Sequence, residues 1–321
     1  MMWRPDRTVV GPERVLPRDI DPLNRIFSDA FTERYRKDGL SGVRVPYLNP
    51  AIWQFAIADA GEGAMLWRDR RGDLIAFNFV HQSGCEGWMG PLAVRTDRQG
   101  TGLGRQIVLA GVAWLDEHGA ATIGLETMPR TIDNIGFYSR LGFVPSPLTI
   151  TLQRDDLRRA QPAAERLAAL APSTARHAIA ECRTLTHRVA PGVDFSRELE
   201  LTLELRIGDT TLVRGARGEV RGFALWHTAP LAQGRSAEEL RILKLVAPDT
   251  ATALEVIAAV EHEAAAQALL HLAIRCQTRH GELYSALVAD GFRVQWTDLR
   301  LTLGGKPERE PQGVLLSNWE I

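Results

Sequence analysis

An apolar run over residues 88–94 passes through a short polar turn into three glycines at alternate positions, Gly100, Gly102 and Gly104. It then enters the helical pattern of Gln106, Ile107, Val108 and Leu109. A strand feeding a glycine loop and then a helix N-terminus makes an anion site. Glycine lets the backbone approach a ligand through dihedrals closed to other residues, and the free N–H groups of a first helical turn favour phosphate. Arg95, Arg98 and Arg105 add positive charge around the loop. Spacing narrows the ligand. The dinucleotide fingerprint Gly-x-Gly-x-x-Gly fails, because its last place falls on Arg105 or Ile107. The triphosphate loop fails too, for want of a lysine followed by Ser or Thr.

Composition sets the remaining bounds. At 321 residues the chain exceeds the roughly 100 to 200 typical of one domain, so two domains are expected. Its 38 basic and 39 acidic residues nearly cancel, which gives no reason to expect nucleic acid or an anionic membrane as partner. Cys85, Cys182 and Cys276 form no paired framework and suit a reducing cytoplasm. No apolar run approaches the roughly 20 residues of a membrane span, and residues 1–6 lack the apolar region of a signal peptide. Cys182 with His187 and Cys276 with His280 resemble metal-ligand pairs, but no Cys-x-x-Cys accompanies them and no metal is expected. Cys85 has only His81 nearby as a partner and is not expected to be a nucleophile.

The first half alternates helices and strands. A strand is expected near residues 14–16, then a helix over 22–31 capped by Asp21 with Pro22 at its first position. A second helix is expected over 51–58, followed by strands over 64–68, 74–80 and 88–94. The helix after the glycine loop should stop at Gly119. A strand over 122–127, a helix over 134–141 ended by Gly142 and a strand over 148–152 complete the set.

Gln99-Gly100-Thr101-Gly102-Leu103-Gly104, directly after Leu92-Ala93-Val94, resembles the pyrophosphate-binding loop of the GNAT superfamily of acetyl-CoA-dependent N-acetyltransferases. Asn134-Ile135-Gly136-Phe137-Tyr138-Ser139-Arg140-Leu141-Gly142-Phe143 resembles a second motif of that family in compressed form, with Gly136 in place of its small alanine. The resemblance implies acetyl-CoA as cosubstrate, no metal, and a small-molecule or peptide amine as acceptor. It places Arg98, Gln99, Gly100, Thr101, Gly102, Leu103, Gly104 and Arg105 at the pyrophosphate, and Asn134 and Phe137 beside the pantetheine arm. The backbone N–H groups of Leu92, Ala93 and Val94 become donors to pantetheine and to the charge developing on the thioester oxygen. Tyr138, a phenol of ordinary pKa about 10, is placed to protonate the leaving thiolate. Glu126 is the candidate base; a carboxylate paired with a nearby arginine is the alternative reading of the same residue. The acceptor is expected to be chosen by residues 34–47 and Trp53.

Beyond residue 152 an Ala-, Arg- and Glu-rich stretch over 154–170 reads as a helical linker. The rest repeats the first half in order. Residues 195–207 alternate leucines as a strand would, but related tandem acetyltransferases favour a helix there. Between Val246 and Ala258 this copy has no glycine, so it cannot cradle a pyrophosphate in the same way. The expected fold is α/β (α+β): two tandem GNAT-like domains, each a mixed, mostly antiparallel sheet flanked by helices. Residues 1–155 form the catalytic domain, 156–172 a linker and 173–321 a degenerate copy, in a monomer or homodimer. A non-catalytic acyl-CoA sensor and an S-acyltransferase or decarboxylase of the same fold are the competing readings.

Overall fold

Large apolar and β-branched residues dominate the chain from residue 64 to 94, interrupted only by short turns, and they fold into three antiparallel strands. The computed structural model describes residues 8–158 and 164–319. The first half runs β1 (Val10–Arg14), α1 (Ile20–Lys37), α2 (Pro50–Ala60), β2 (Ala64–Arg68), β3 (Leu74–Ser83), β4 (Glu86–Val94), α3 (Leu103–Glu117), β5 (Thr122–Thr127), α4 (Ile132–Ser139) and β6 (Phe143–Arg154). The second half repeats this order: β7 (Ala164–Arg166), α5 (Pro172–Val189), α6 (Ser196–Leu205), β8 (Gly208–Arg214), β9 (Val220–His227), β10 (Glu239–Ala247), α7 (Thr250–Ala266), β11 (His271–Gln277), α8 (Gly281–Ala289) and β12 (Arg293–Leu303). One strand, β13 (Val314–Ser317), has no counterpart among the described residues of the first half.

The two halves share one sheet, in the order β1-β2-β3-β4-β5-β12-β6-β11-β10-β9-β8-β7. Each half gives the final strand of the repeated order, β6 or β12, to the other. β12 pairs with β5 through Leu299–Thr127 and Leu301–Leu125, while β6 pairs with β11 through residues 149–154. Period-two alternation sorts the side chains between two faces. Phe77, Phe79 and Leu66 pack under α1 and α2, whereas Met65, Ala76, Val80 and Met89 pack under α3. The second half does the same with Phe223 and Leu225 on the α5–α6 face, and Ala224 and Trp226 on the α7 face.

Several boundaries differ from the sequence reading. Asp19, not Asp21, stands at the N-cap of α1, and its carboxylate accepts from Leu16 N–H and pairs with Arg68. Residues 154–170 do not form a helical linker where they are described: β6 runs to Arg154, and residues 164–166 are a strand paired with β8. Residues 1–6 and 159–163 of the sequence reading lie outside the described residues. Residues 196–205 are helical, as expected.

Ion pairs cross the seam where the strands exchange. Glu126 of β5 accepts from Arg300 of β12 at 2.8 Å and from Thr149 of β6 at 2.7 Å, and it also pairs with Arg275 of β11. Arg275 reaches Asp298 of β12 at 2.9 Å. Burial alone would raise the Glu126 pKa, but the charges of Arg275 and Arg300 reverse this and bring it down to about 2.

Two outcomes follow from this seam. A fragment of residues 1–155 exposes the bare edges of β5 and β6 and is expected to aggregate in size-exclusion chromatography, where the whole chain does not. Glu126→Gln should cost about 3 kcal/mol in chemical denaturation at pH 7, since two buried guanidiniums each lose one of their two carboxylate partners. Because the folded pKa of Glu126 is depressed, its contribution is complete above its ordinary value of 4.5 and lost as pH falls toward about 2. The stability difference between the two proteins should therefore shrink over that range.

Candidate functional site

β4 lies against β5 only from Glu86 to Met89, in parallel register with residues 122–125. Beyond that the strands part. Phe79 of β3 stands opposite two residues, Gly90 and Pro91, so β4 bulges where it leaves its neighbour. From residue 90 to 94 one edge of β4 stays on β3 and the other faces a gap, since β5 goes on to pair with β12. Arg95 N–H donates to Ile75 O of β3 at 2.8 Å. By alternation Ala93 also faces β3, while Leu92 and Val94 turn their N–H and C=O groups toward the gap. Gln99 Nε2 donates to the Val94 carbonyl at 3.1 Å, consistent with that orientation. Of the three backbone groups expected as donors, Leu92 and Val94 are placed for it and Ala93 is not.

The gap leads to the glycine loop. Gly100 and Gly102 have φ of +73° and +91°, and a Cβ at either would meet nothing within 4 Å. A Cβ on Gly104 would touch only the Phe137 ring, at 3.6 Å. The first-turn N–H groups of Leu103, Gly104 and Arg105 have no intrahelical partners, and no side chain among the described residues caps them, so they open onto this space. These features fit a pyrophosphate. The arginines contribute less than their number promised. Arg95 pairs with Asp97 and Asp69, and Arg98 with Asp69 at 3.3 Å, whereas Arg105 is exposed on the first turn of α3. Arg98 N–H is also turned inward, donating to Arg95 O, and Thr101 Oγ1 donates to Arg98 O.

α4 closes the far side of the gap. Phe137 reaches the first turn of α3, and Asn134 Nδ2 donates to Thr127 Oγ1 at 3.3 Å, tying α4 to the end of β5. Tyr138 is 6% exposed and packs on Phe137 and Phe143; no hydrogen bond joins its hydroxyl to another described residue. Burial pushes its pKa up and keeps the phenol neutral. Glu126 is the ion-paired carboxylate of the seam, and a group held at about 2 is a poor proton acceptor near neutrality. Trp53 does not line an acceptor site: it is 0% exposed, its indole donates to Asn24 Oδ1, and its ring packs on Phe27, Phe77 and Phe79. Tyr47, Leu48 and Asn49 instead bond to residues 231–233 of the second half, which thus walls that side.

In the second half both positions are filled. β10 pairs with β11 over residues 239–242 and then turns its free edge to β13, Lys244 opposite Ser317 and Ala247 opposite Val314. The helix matching α3 is α7, and the Asp249 carboxylate caps it by accepting from Thr252 N–H at 2.7 Å. The chain's own strand and its own anion stand where the first half is open.

A buried polar row between the halves was not legible in the motifs. It holds His81 and Asp59, Glu198 and Ser83, Lys244 under the Trp319 ring, and Glu86 accepting from Ser317. Burial, helped by Asp59, raises Glu198 to about 7, and burial lowers Lys244. The signal for His81 was present in the alternation Phe77, Phe79, His81, which puts it on a core face. Cys182 and Cys276 are buried, and among the described residues no group of three or more His, Cys, Asp or Glu side chains could hold a metal ion. No helix among the described residues is long and apolar enough to cross a membrane.

Residues 23–143 match the family model of the acetyltransferase (GNAT) family. No curated protein matches the chain in sequence. Among solved structures, a GCN5-related N-acetyltransferase from Sphaerobacter thermophilus aligns with a TM-score of 0.60 at 15% identity, over 97% of this chain and 99% of that one. A tandem GNAT protein from the clavulanic acid biosynthesis pathway aligns with a TM-score of 0.61 at 14% identity, over 94% and 99%. N-myristoyltransferase of Saccharomyces cerevisiae with bound myristoyl-CoA gives 0.63 at 10% identity, over 97% and 85%. At these identities the likeness is one of fold, and it spans both halves. Residues 23–143, which carry the open slot, thus form a domain of the acetyltransferase (GNAT) family within a chain that has the tandem GNAT fold.

Proposed function

We propose that the chain transfers an acetyl group from acetyl-CoA to an amine, using one CoA site, in the first half. The observation that carries this reading is the contrast between the halves. The β4 edge and the α3 N-terminus are open and match the pantetheine and pyrophosphate of CoA in kind. The corresponding edge and helix of the second half are occupied by β13 and Asp249.

Acetyl-CoA supplies an activated acyl group; the chain's residues bind and orient it. The N–H groups of residues 100–105 and the positive end of the α3 dipole take the pyrophosphate, with the exposed Arg105 adding charge. Leu92 and Val94 donate to the pantetheine arm and to the thioester oxygen as charge gathers there. Asn134 and Phe137 border the arm. As the new C–N bond forms and the C–S bond breaks, Tyr138, kept neutral by burial, donates its proton toward the departing sulfur, and the proton lost by the amine nitrogen returns to the phenolate through solvent. Glu126 keeps its arginines and receives no proton. The acceptor is a small-molecule or peptide amine entering between α1 and the loop around residues 229–233. Residues 1–155 carry the chemistry, and residues 173–321 complete the sheet and wall the acceptor side.

Calorimetry with CoA should give one site per chain; two sites would overturn the assignment of the second half as closed. Gly102→Glu puts a side chain at φ +91° and an acid at the phosphate position, and CoA affinity should fall by about 100-fold or more. Wild-type affinity in that variant would sink the loop assignment. Tyr138→Phe should bind CoA normally and release thiol from acetyl-CoA about 10- to 100-fold more slowly across an amine panel.

A further inference from the structure

The bulge that frees the edge of β4 is held by a side chain with no part in the scheme above. His81 of β3 is 3% exposed. Its Nε2 lies 3.1 Å from the carbonyl oxygen of Gly90, the first residue of β4 beyond the pairing with β5, and its Nδ1 lies 2.5 Å from Asp59 Oδ2. A carbonyl only accepts, so Nε2 carries a hydrogen, and the short contact at Nδ1 needs a second one between imidazole and carboxyl. Asp59, 1% exposed at the end of α2, also accepts from Arg197 of α6 at 2.7 and 3.1 Å. Burial works to raise the Asp59 pKa, but the bond to His81 and the charges of Arg197 and Lys244 prevail and hold it below its ordinary value. Phe79 and Trp319 lie beside the ring, with centroids at 6.3 and 6.1 Å.

The second half shows that this carbonyl needs a donor. Leu243 follows Ile242, the last residue of β10 paired with β11, as Gly90 follows Met89. A register shift marks the same place between β9 and β10. The Leu243 carbonyl is met by Asn318, whose backbone N–H donates at 3.0 Å. In the closed half the filling strand's own extension satisfies the bulge. In the open half that route would obstruct the slot, and a side chain from the adjacent strand does it instead.

We propose that His81 is a positioning residue for acyl transfer: by holding the Gly90 carbonyl it fixes the bulge and so aims the Leu92 and Val94 N–H groups into the gap, with Asp59 and Arg197 holding the imidazole. The proposal rests on the acyl-transfer reading and adds to it a link to the second half, since Arg197 belongs to α6. Angstrom-scale displacement of such donors is expensive in rate while leaving the pyrophosphate loop untouched.

A glutamine at position 81 offers an amide N–H near the place of Nε2; an asparagine reaches only toward Asp59. Both remove the ring, so a packing role predicts equal effects. A positioning role predicts that His81→Asn lowers kcat for thiol release from acetyl-CoA by about tenfold or more. It predicts that His81→Gln recovers most of that loss, with the calorimetric affinity for CoA near wild type in His81→Gln and falling far less than kcat in His81→Asn. In amide NMR spectra, CoA should shift the Leu92 and Val94 signals in wild type and His81→Gln but not in His81→Asn. Equal kcat and equal amide shifts in the two variants, or a parallel loss of CoA affinity, would overturn the proposal. A wild type that binds CoA, shifts those amides and acetylates no amine would instead defeat the transfer reading, and the amide comparison would still decide the role of His81.

Discussion

The guanidinium of Arg300 is the interaction on which the assembly of the two halves depends. It is buried on β12, a second-half strand lying inside the first half's part of the sheet. A buried guanidinium is tolerable only when its donors are matched and its charge is compensated. Here Nε serves Glu126 and Thr149, and the terminal nitrogens serve Glu308, the Ser317 carbonyl and Asn318, with the plane over the Trp88 ring at 4.3 Å. Those partners come from β4, β5, β6, the segment after β12 and the end of β13. One side chain thus fixes the exchanged strand, the strand that opens the slot and the strand that fills the second slot. Burial would lower its pKa, but Glu308, Glu126 and Glu86 outweigh burial and keep it cationic.

Two copies of one ten-element plan have diverged at a few atoms. Both keep the bulge in the strand before the helix, and both keep the parallel pairing that ends there. In the first copy Gly102 precedes an uncapped helix; in the second Asp249 caps it. A carboxylate at that N-terminus interacts with the helix dipole as a phosphate would and repels a phosphate that approaches. β13 matches the unpaired edge hydrogen bond for hydrogen bond, as a strand of peptide can and a pantetheine arm does only in part. Gly313 lets it enter, because a Cβ there would stand 2.6 Å from the Ala247 carbonyl oxygen.

The sequence was most readable where local chemistry decides local structure. Alternation marked most of the strands, the glycine spacing marked a turn before α3 in which Gly100 and Gly102 take positive φ, and the absence of glycine after Val246 marked a helix start built differently. Asp249 stood in N-cap position in plain view, yet the cap gained meaning only against the open α3. What stayed hidden was set by contacts distant in sequence. Glu126 is 149 residues from Arg275 and 174 from Arg300, and no window of sequence could choose between a base and an ion pair there. The strand exchange was hidden for the same reason: β6 and β12 each carry a pattern that fits beside either β5 or β11. Trp53 misled because an aromatic near a family's acceptor loop also suits a core, and its neighbours Phe27, Phe77 and Phe79 come from elements that only the fold brings together.

The exchange also explains why a copy without a slot is kept whole. A lone first half would end its sheet at β5, beside the gap, with nothing to stop β5 from closing on the free edge of β4. β12 prevents this by engaging β5 on its other side from residue 124 to 127, a stretch that begins within the β4 pairing and runs past its end at residue 125. Arg300 and Arg275 then draw Glu126 away from β4, and Arg197 holds Asp59 behind His81 on the β4 side. Both walls of the open slot are thus braced by cations from the second half. The separation of two strands, which hydrogen bonding alone would tend to close, is sustained by charge and register supplied from the copy whose own slot is filled.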